Sequence, residues 1–230
     1  RGIKLETAFN LSQEKISGNI LVHNPNYNFS NNAVTVGLDV SATDRSGSSG
    51  FKSSRTGFEL GTGFEQYEQV FIAPKITVSL EDIEVNEDAS SAIKKMEGNF
   101  FNADLGYSVT LDKRNQSFKP TQGHRLTFRQ SLPLIQDSSS LINGLDVSKY
   151  YDFSEDLIGS LKFHARTING IDSDVRLTDR LYIPRSRLRG FNVYKVGPKD
   201  GDDYIGGNYT TALSAEAQLP NLLPETYRTD

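Results

Sequence analysis

The sequence predicts an all-β fold: an antiparallel transmembrane β-barrel, represented by an arc of about ten strands. Three observations predict it. Apolar and polar residues alternate with period two along most of the 230 residues. Many alternating runs are about ten residues long, the length a tilted strand needs to cross a bilayer. The connections also differ in character, long polar ones being set against short turns.

Taken in order, Ile3, Leu5, Thr7 and Phe9 alternate with Lys4, Glu6 and Ala8. After a short polar turn, Ile16, Gly18, Ile20 and Val22 form the next apolar face. Between residues 33 and 42, Val34, Val36, Leu38, Val40 and Ala42 share one face, and Thr35, Gly37, Asp39 and Ser41 share the other. Such strict alternation argues strand and against helix. Phe58 and Leu60 flank Glu59, and Ile76, Val78 and Leu80 alternate with Lys75, Thr77 and Ser79. From 101 to 112, Phe101, Ala103, Leu105, Tyr107, Val109 and Leu111 oppose Asn102, Asp104, Gly106, Ser108, Thr110 and Asp112. Leu126, Phe128, Leu132 and Leu134 alternate with Arg125, Thr127, Arg129 and Ser131. Residues 145–153 form a further strand, followed by Leu157, Leu161, Phe163 and Ala165 against Lys162, His164 and Arg166. The last strand sets Tyr209, Thr211, Leu213, Ala215, Ala217 and Leu219 against Asn208, Ala212, Ser214, Glu216 and Gln218.

The connections at 44–50, 81–95 and 179–205 are long and polar, charged or rich in Gly and Ser. Those at 63–69 and 154–155 are short. Segments 24–32 and 113–122 are intermediate, with Pro25 and Pro120 as turn residues. The polar faces carry many charges and the opposite faces almost none. In a soluble β-sandwich the apolar face would be the core; in a membrane barrel it would meet lipid while the charged face lines a wet lumen. Alternation alone does not separate the two. Strand length, loop asymmetry and faces diluted by Thr, Gly and Ala favour the membrane. Tyr27, Phe29, Tyr67, Phe100, Phe118, Tyr150, Tyr151 and Tyr209, near predicted strand ends, suit aromatic girdles.

Composition bounds the function. With 25 Lys and Arg against 29 Asp and Glu the net charge is −4, so no basic field points to nucleic acid. No cysteine is present, which excludes disulfides and cysteine-held zinc. No apolar run approaches the ~20 residues of a membrane helix. His23, His124 and His164 fall in no metal or triad spacing. His164, between Lys162 and Arg166, reads as a wall residue. The acidic run Glu81-Asp82-Ile83-Glu84-Val85-Asn86-Glu87-Asp88 lacks the glycine and closing glutamate of an EF-hand and reads as a solvated outer loop, as does Asp200-Gly201-Asp202-Asp203. Arg185, Arg187 and Arg189 form a small basic cluster without interleaved aromatics, so they read as loop arginines that pair with acidic wall residues. No enzyme, cofactor or metal signature emerges. The chain opens directly in strand pattern and stops just after a turn, so it is read as a piece of a longer protein.

Two patches carry a family resemblance. Leu188-Arg189-Gly190-Phe191, Val196-Gly197-Pro198, Gly206-Gly207-Asn208, Ser214-Ala215-Glu216 and Leu219-Pro220, in this order, closely resemble the loop-six signature of the BamA-type outer-membrane assembly factors, a bacterial surface antigen family. Tyr107-Ser108-Val109-Thr110-Leu111-Asp112-Lys113-Arg114-Asn115 followed by Lys119-Pro120-Thr121-Gln122-Gly123 is similar to that family's strand–turn–strand segment. Thr56-Gly57-Phe58-Glu59-Leu60-Gly61 is a weaker third match.

The resemblance implies a barrel of about 16 strands, of which residues 1–230 form part of one outer-membrane domain. Residues 33–42 would be the fifth strand, 157–168 the eleventh and 208–219 the twelfth. The N-terminal periplasmic modules and the first and last strands would lie outside. It further implies the bacterial outer membrane, lipid as surroundings, nascent β-barrel clients as cargo and assembly-complex lipoproteins as partners.

Arg189 resembles the family's loop arginine folded into the lumen, and Glu216 the acidic wall residue that receives it. A bidentate guanidinium–carboxylate pair can pin a loop in one pose. Such a pair is worth about 1 kcal/mol in a wet lumen, and breaking a desolvated one costs about 3–5 kcal/mol. Gly190 allows the sharp turn, Phe191 is expected to pack at the tip, and Gly206 and Gly207 are expected where the loop approaches the wall closely. The alternatives are a two-partner secretion or translocation-and-assembly barrel of the same superfamily, a soluble β-sandwich binding module, and an outer-membrane hydrolase dependent on His164.

Overall fold

A computed structural model describes residues 2–12, 15–47, 50–88, 94–137, 139–154, 157–176, 178–191, 195–200 and 203–218. The predicted strands appear in order: β1 (Lys4–Leu11), β2 (Lys15–Asn24), β3 (Ala33–Arg45), β4 (Phe51–Tyr67), β5 (Val70–Val85), β6 (Gly98–Asp112), β7 (Gly123–Gln136), β8 (Ser140–Ser154) and β9 (Leu157–Gly170). Two short strands, β10 (Lys199–Asp200) and β11 (Asp203–Tyr204), form a hairpin before β12 (Tyr209–Gln218). The other ten strands make one sheet in the order β1-β2-β3-β4-β5-β6-β7-β8-β9-β12. All its pairings are antiparallel and join chain neighbours, as in an up-and-down barrel wall. Among the described residues, no helix is long and apolar enough to cross a membrane.

Register fixes which side chains share a face. Leu38 opposes Phe58, Phe58 opposes Val78, Ile76 opposes Leu105 and Leu105 opposes Leu132. This outer face stays open: Leu38 is 47% exposed, Phe58 45% and Leu213 70%. A sandwich would bury it; a lipid-facing wall would not. The inner face carries the charges, and across it Lys75 Nζ pairs with Glu59 Oε2 at 3.0 Å. A polar row interrupts the apolar exterior. Tyr107, Gln130, Asn143 and Thr167 stand opposite one another on β6, β7, β8 and β9, on the outer side. The Tyr107 hydroxyl donates to Gln130 (2.8 Å), Gln130 Nε2 donates to Asn143 Oδ1 (2.6 Å), and Asn143 Nδ2 donates to Thr167 Oγ1 (3.3 Å). Mutual pairing is what makes such groups tolerable away from water.

The acidic run from Glu81 is not a loop up to Val85: Glu81, Asp82, Ile83, Glu84 and Val85 belong to β5, so the connection is shorter than expected. The polarity of the two faces inverts there. Asp82 and Glu84 continue the outer row of Ile76, Val78 and Leu80, while Ile83 continues the inner row of Thr77, Ser79 and Glu81. Ile83 is 1% exposed and packs with Phe51 and Met96. The strand outruns the apolar belt, so its outer face becomes polar and its inner face becomes a small core under the connection to β6.

The Tyr107–Gly123 motif forms a self-bonded turn between β6 and β7. Arg114 Nε and Nη2 grip both oxygens of Asp112 at 2.8 and 2.7 Å. Asn115 donates to Thr121 Oγ1 at 2.7 Å and accepts from its backbone N–H at 3.2 Å.

Candidate functional site

The described parts of the connection from β9 to β12, residues 171–208, are tied back to the sheet. Its two limbs are tied to each other where Leu181 N–H donates to Gly207 O (2.8 Å) and Gly207 N–H donates to Leu181 O (3.0 Å). The Tyr182 hydroxyl donates to Tyr204 O at 3.0 Å. The base is fastened to the wall because Asn208 O accepts the Ile168 N–H at 2.9 Å. Gly206 has φ +70°, and a Cβ there would come within 3.0 Å of Arg180 and the Tyr182 ring, so the returning limb needs glycine at that point. Gly207 lies in the bridge, with Pro198 beside it; Ile205 N–H donates to Pro198 O at 3.1 Å. Gly197 is exposed.

The tip meets the inner wall through arginines. Arg187 N–H donates to Pro184 O at 2.8 Å, a tight turn that aims its side chain inward. Arg187 Nη2 reaches Asp146 Oδ1 on β8 at 2.8 Å, with both side chains about three-quarters buried. Asp146 is also gripped from both neighbouring strands: Arg129 Nη1 of β7 donates to Oδ2 at 2.5 Å, and His164 Nδ1 of β9 lies 2.8 Å from Oδ1. One carboxylate thus joins three cationic or donor side chains from β7, β9 and the loop. His164 is 3% exposed, and its Nε2 is buried without a partner among the described residues.

Arg189 lies near Glu216, with Nη2 4.0 Å from Oε1. Its side chain is 83% exposed, and Glu216 is held more tightly by Lys162, whose Nζ is 2.6 Å from Oε2. Glu216 and Lys162 both project from the inner face of β12 and β9. Gly190 turns the chain with φ +83° and has open space around it, so its glycine serves the backbone conformation and not a close contact. Phe191 does not pack as expected: it is 60% exposed, beside a tip whose neighbouring Arg189 faces the charged pair Glu216 and Lys162. Leu219 and Pro220 of the motif lie outside the described residues, as does part of the Asp200-Gly201-Asp202-Asp203 stretch.

Sequence reasoning missed Asp146 as the main receiver. Its only sequence clue was a place on a polar strand face; the pairing of β8 with β7 and β9 decides the rest. Arg187 pairs with an acidic wall residue as expected of the basic cluster, although the sequence did not name the partner. No group of three or more His, Cys, Asp or Glu able to hold a metal occurs among the described residues.

The arrangement is one of loop arginines set on wall carboxylates. What it can do is fix a long loop against the inside of a β-wall through directional charge pairs. Comparison with known proteins gives this a context. A family model described as the Omp85 superfamily domain matches residues 1–229. The outer membrane protein assembly factor BamA of Neorickettsia risticii (strain Illinois) is 28% identical over 146 residues, which is 61% of this chain and 20% of that protein. A sorting and assembly machinery component 50 homolog from Bos taurus is 30% identical over 126 residues, 52% of this chain and 26% of that protein. The chain is similar in fold, with a TM-score of 0.81 and 17% identity, to a crystal structure of BamA from Haemophilus ducreyi lacking POTRA domains 1–3; the match covers all of this chain and 49% of that one. The aligned region thus spans about a quarter of the bovine protein it matches. With its all-antiparallel arc, its inward-turned loop and a family match over nearly its whole length, the chain belongs to the Omp85 superfamily, as part of a BamA-type barrel.

Proposed function

We propose that this chain is part of the wall of a barrel that inserts and folds β-barrel proteins into an outer membrane, and that the loop is an internal latch holding the barrel in its working shape. The observation that carries the reading is the loop turned inward onto the wall, with Arg187 on Asp146 and Arg189 beside Glu216. The function is mechanical: a barrel whose shape is held from inside lowers the barrier for client strands to enter the bilayer, with no cofactor and no chemistry of its own. The latch comprises Arg189, Gly190, Phe191 and Glu216, with Gly197, Pro198, Gly206, Gly207 and Asn208 where the loop returns to the wall. Clients are nascent β-barrel chains, the surroundings are outer-membrane lipids, and accessory lipoproteins complete the assembly complex.

The address is the bacterial outer membrane, supported by the likeness to BamA. The similarity to vertebrate assembly-machinery components supports a eukaryotic outer membrane as the second reading. The test is reconstitution of the full-length protein in liposomes with an unfolded β-barrel client. Faster acquisition of protease-resistant client barrel than in empty liposomes is expected. Unchanged client folding, together with export of a soluble passenger, would replace this reading by the secretion-pore one. Fractionation of the native source decides between the two addresses.

A further inference from the structure

The loop touches the wall at a place far from its tip. Arg176, on the first limb, is 9% exposed in its side chain, and its neighbour Val175 is 5% exposed. The guanidinium meets three groups at once. Its Nε donates to Asp179 Oδ2 at 2.8 Å, its Nη2 lies 3.7 Å from Glu81 Oε2, and its Cζ sits 4.4 Å from the centroid of the Phe100 ring. Glu81 and Phe100 are directly opposite residues of β5 and β6. The wall therefore presents a ready-made receptor, an acid for the edge of a guanidinium and a ring for its face, on two adjacent strands. The loop is rooted at β9 and β12, with β7 and β8 between that root and the receptor.

We propose that Arg176 is a second fastening of the loop, a positioning residue whose seat on Glu81 and Phe100 sets the pose from which Arg187 and Arg189 reach Asp146 and Glu216. The loop then works as a strap across the inner wall: one fastening on β5–β6, another on β8, and the limbs cross-tied between them at Leu181 and Gly207. Arginine is required in this seat. A planar guanidinium can stack on a ring and bond carboxylates in its own plane together, whereas an ammonium is a point charge that cannot satisfy both geometries. Burial adds to the demand, since a desolvated cation that loses its partner is costly. Nothing in the sequence pattern marks this residue, because its receptor is created by the β5–β6 register.

The proposal rests on the latch reading only for its consequence in client assembly; the pose of the loop is measured separately. The 230 residues contain no cysteine. Arg189→Cys and Glu216→Cys can therefore be introduced into the full-length protein, cleared of any other cysteines, and bridged by a short bismaleimide in native membranes. With Arg176 intact, efficient bridging is expected. Arg176→Ala should lower the ratio of bridged to unbridged protein about fivefold or more, the shift that losing one contact of ordinary strength gives a two-state ratio. Arg176→Lys should lower it nearly as far, and Arg176→Glu with Glu81→Arg should restore part of it. Phe100→Leu removes the stacking face and keeps every charge, so it decides the matter if Arg176→Ala fails to fold. Unchanged bridging in folded Phe100→Leu and Arg176→Ala proteins would overturn the proposal. Bridging that responds to Arg176, together with no acceleration of client folding by the parent protein that keeps Arg189 and Glu216, would overturn the latch function and leave the strap standing.

Discussion

At the scale of single residues, the two arginines of the loop tip have different roles. Arg187 shares a largely buried carboxylate with Arg129 and His164, whereas Arg189 is largely exposed and competes with Lys162 for Glu216. Hydrogen bonds to charged groups contribute about 1.5–3 kcal/mol, and exposed pairs about 0–1 kcal/mol. Arg187→Ala is therefore expected to release the loop more than Arg189→Ala, as read by protease access to the tip; equal release by both would contradict the assignment. Arg189→Glu should still impair the full-length protein, because it places a second carboxylate beside Glu216, and adding Glu216→Arg should restore part of the function. Independent, additive losses in that double-mutant cycle would remove the pairing. Arg189 and Glu216 were legible because a motif names them. Asp146 was not, since the 41 positions that separate it from Arg187 are closed only by the fold.

At the scale of elements, the strands do two jobs along their length. Over the middle of β6 the outer face is apolar, and Leu105→Arg or Val109→Arg should cost about 2–4 kcal/mol in lipid if these positions lie near the midplane. Denaturant titration in liposomes checks this, and unchanged stability would show that this face does not meet lipid. Beyond the belt the preference reverses. Ile83 is an inner-face core residue, so Ile83→Ala should cost about 2–5 kcal/mol, as cavity-forming changes do. Strict alternation made the first of these legible. The second was hidden because Glu81, Asp82 and Glu84 look like loop residues to any hydropathy reading, although Phe51 and Met96 arrive from other segments to cover Ile83. The polar row of Tyr107, Gln130, Asn143 and Thr167 was likewise invisible, because each member alone is an ordinary exception in its strand.

At the scale of the whole molecule, the sheet is an arc with two free edges among the described residues. Among the described residues, β1 pairs only with β2 and β12 only with β9. Free edges are sites of self-association and are costly in lipid, where no water pairs the exposed N–H and C=O groups. Residues 1–230 expressed alone in detergent should therefore form oligomers in sedimentation experiments, whereas the full-length protein should not show this edge-driven association. A stable monomer of the isolated segment would mean that its edges are satisfied internally.

Read alone, the chain determines that an antiparallel wall forms and, over the middle of most strands, which residues share the apolar face. Both follow from period-two alternation, which is a local property of neighbouring residues, and strand length and loop asymmetry add the membrane setting. The tertiary structure decides what the loop touches: Asp146 for Arg187, Glu81 and Phe100 for Arg176. Those contacts join residues far apart in the chain, and they depend on strand register and on the path of a long loop. Both are set by the closing of many weak contacts together, and no local pattern encodes them.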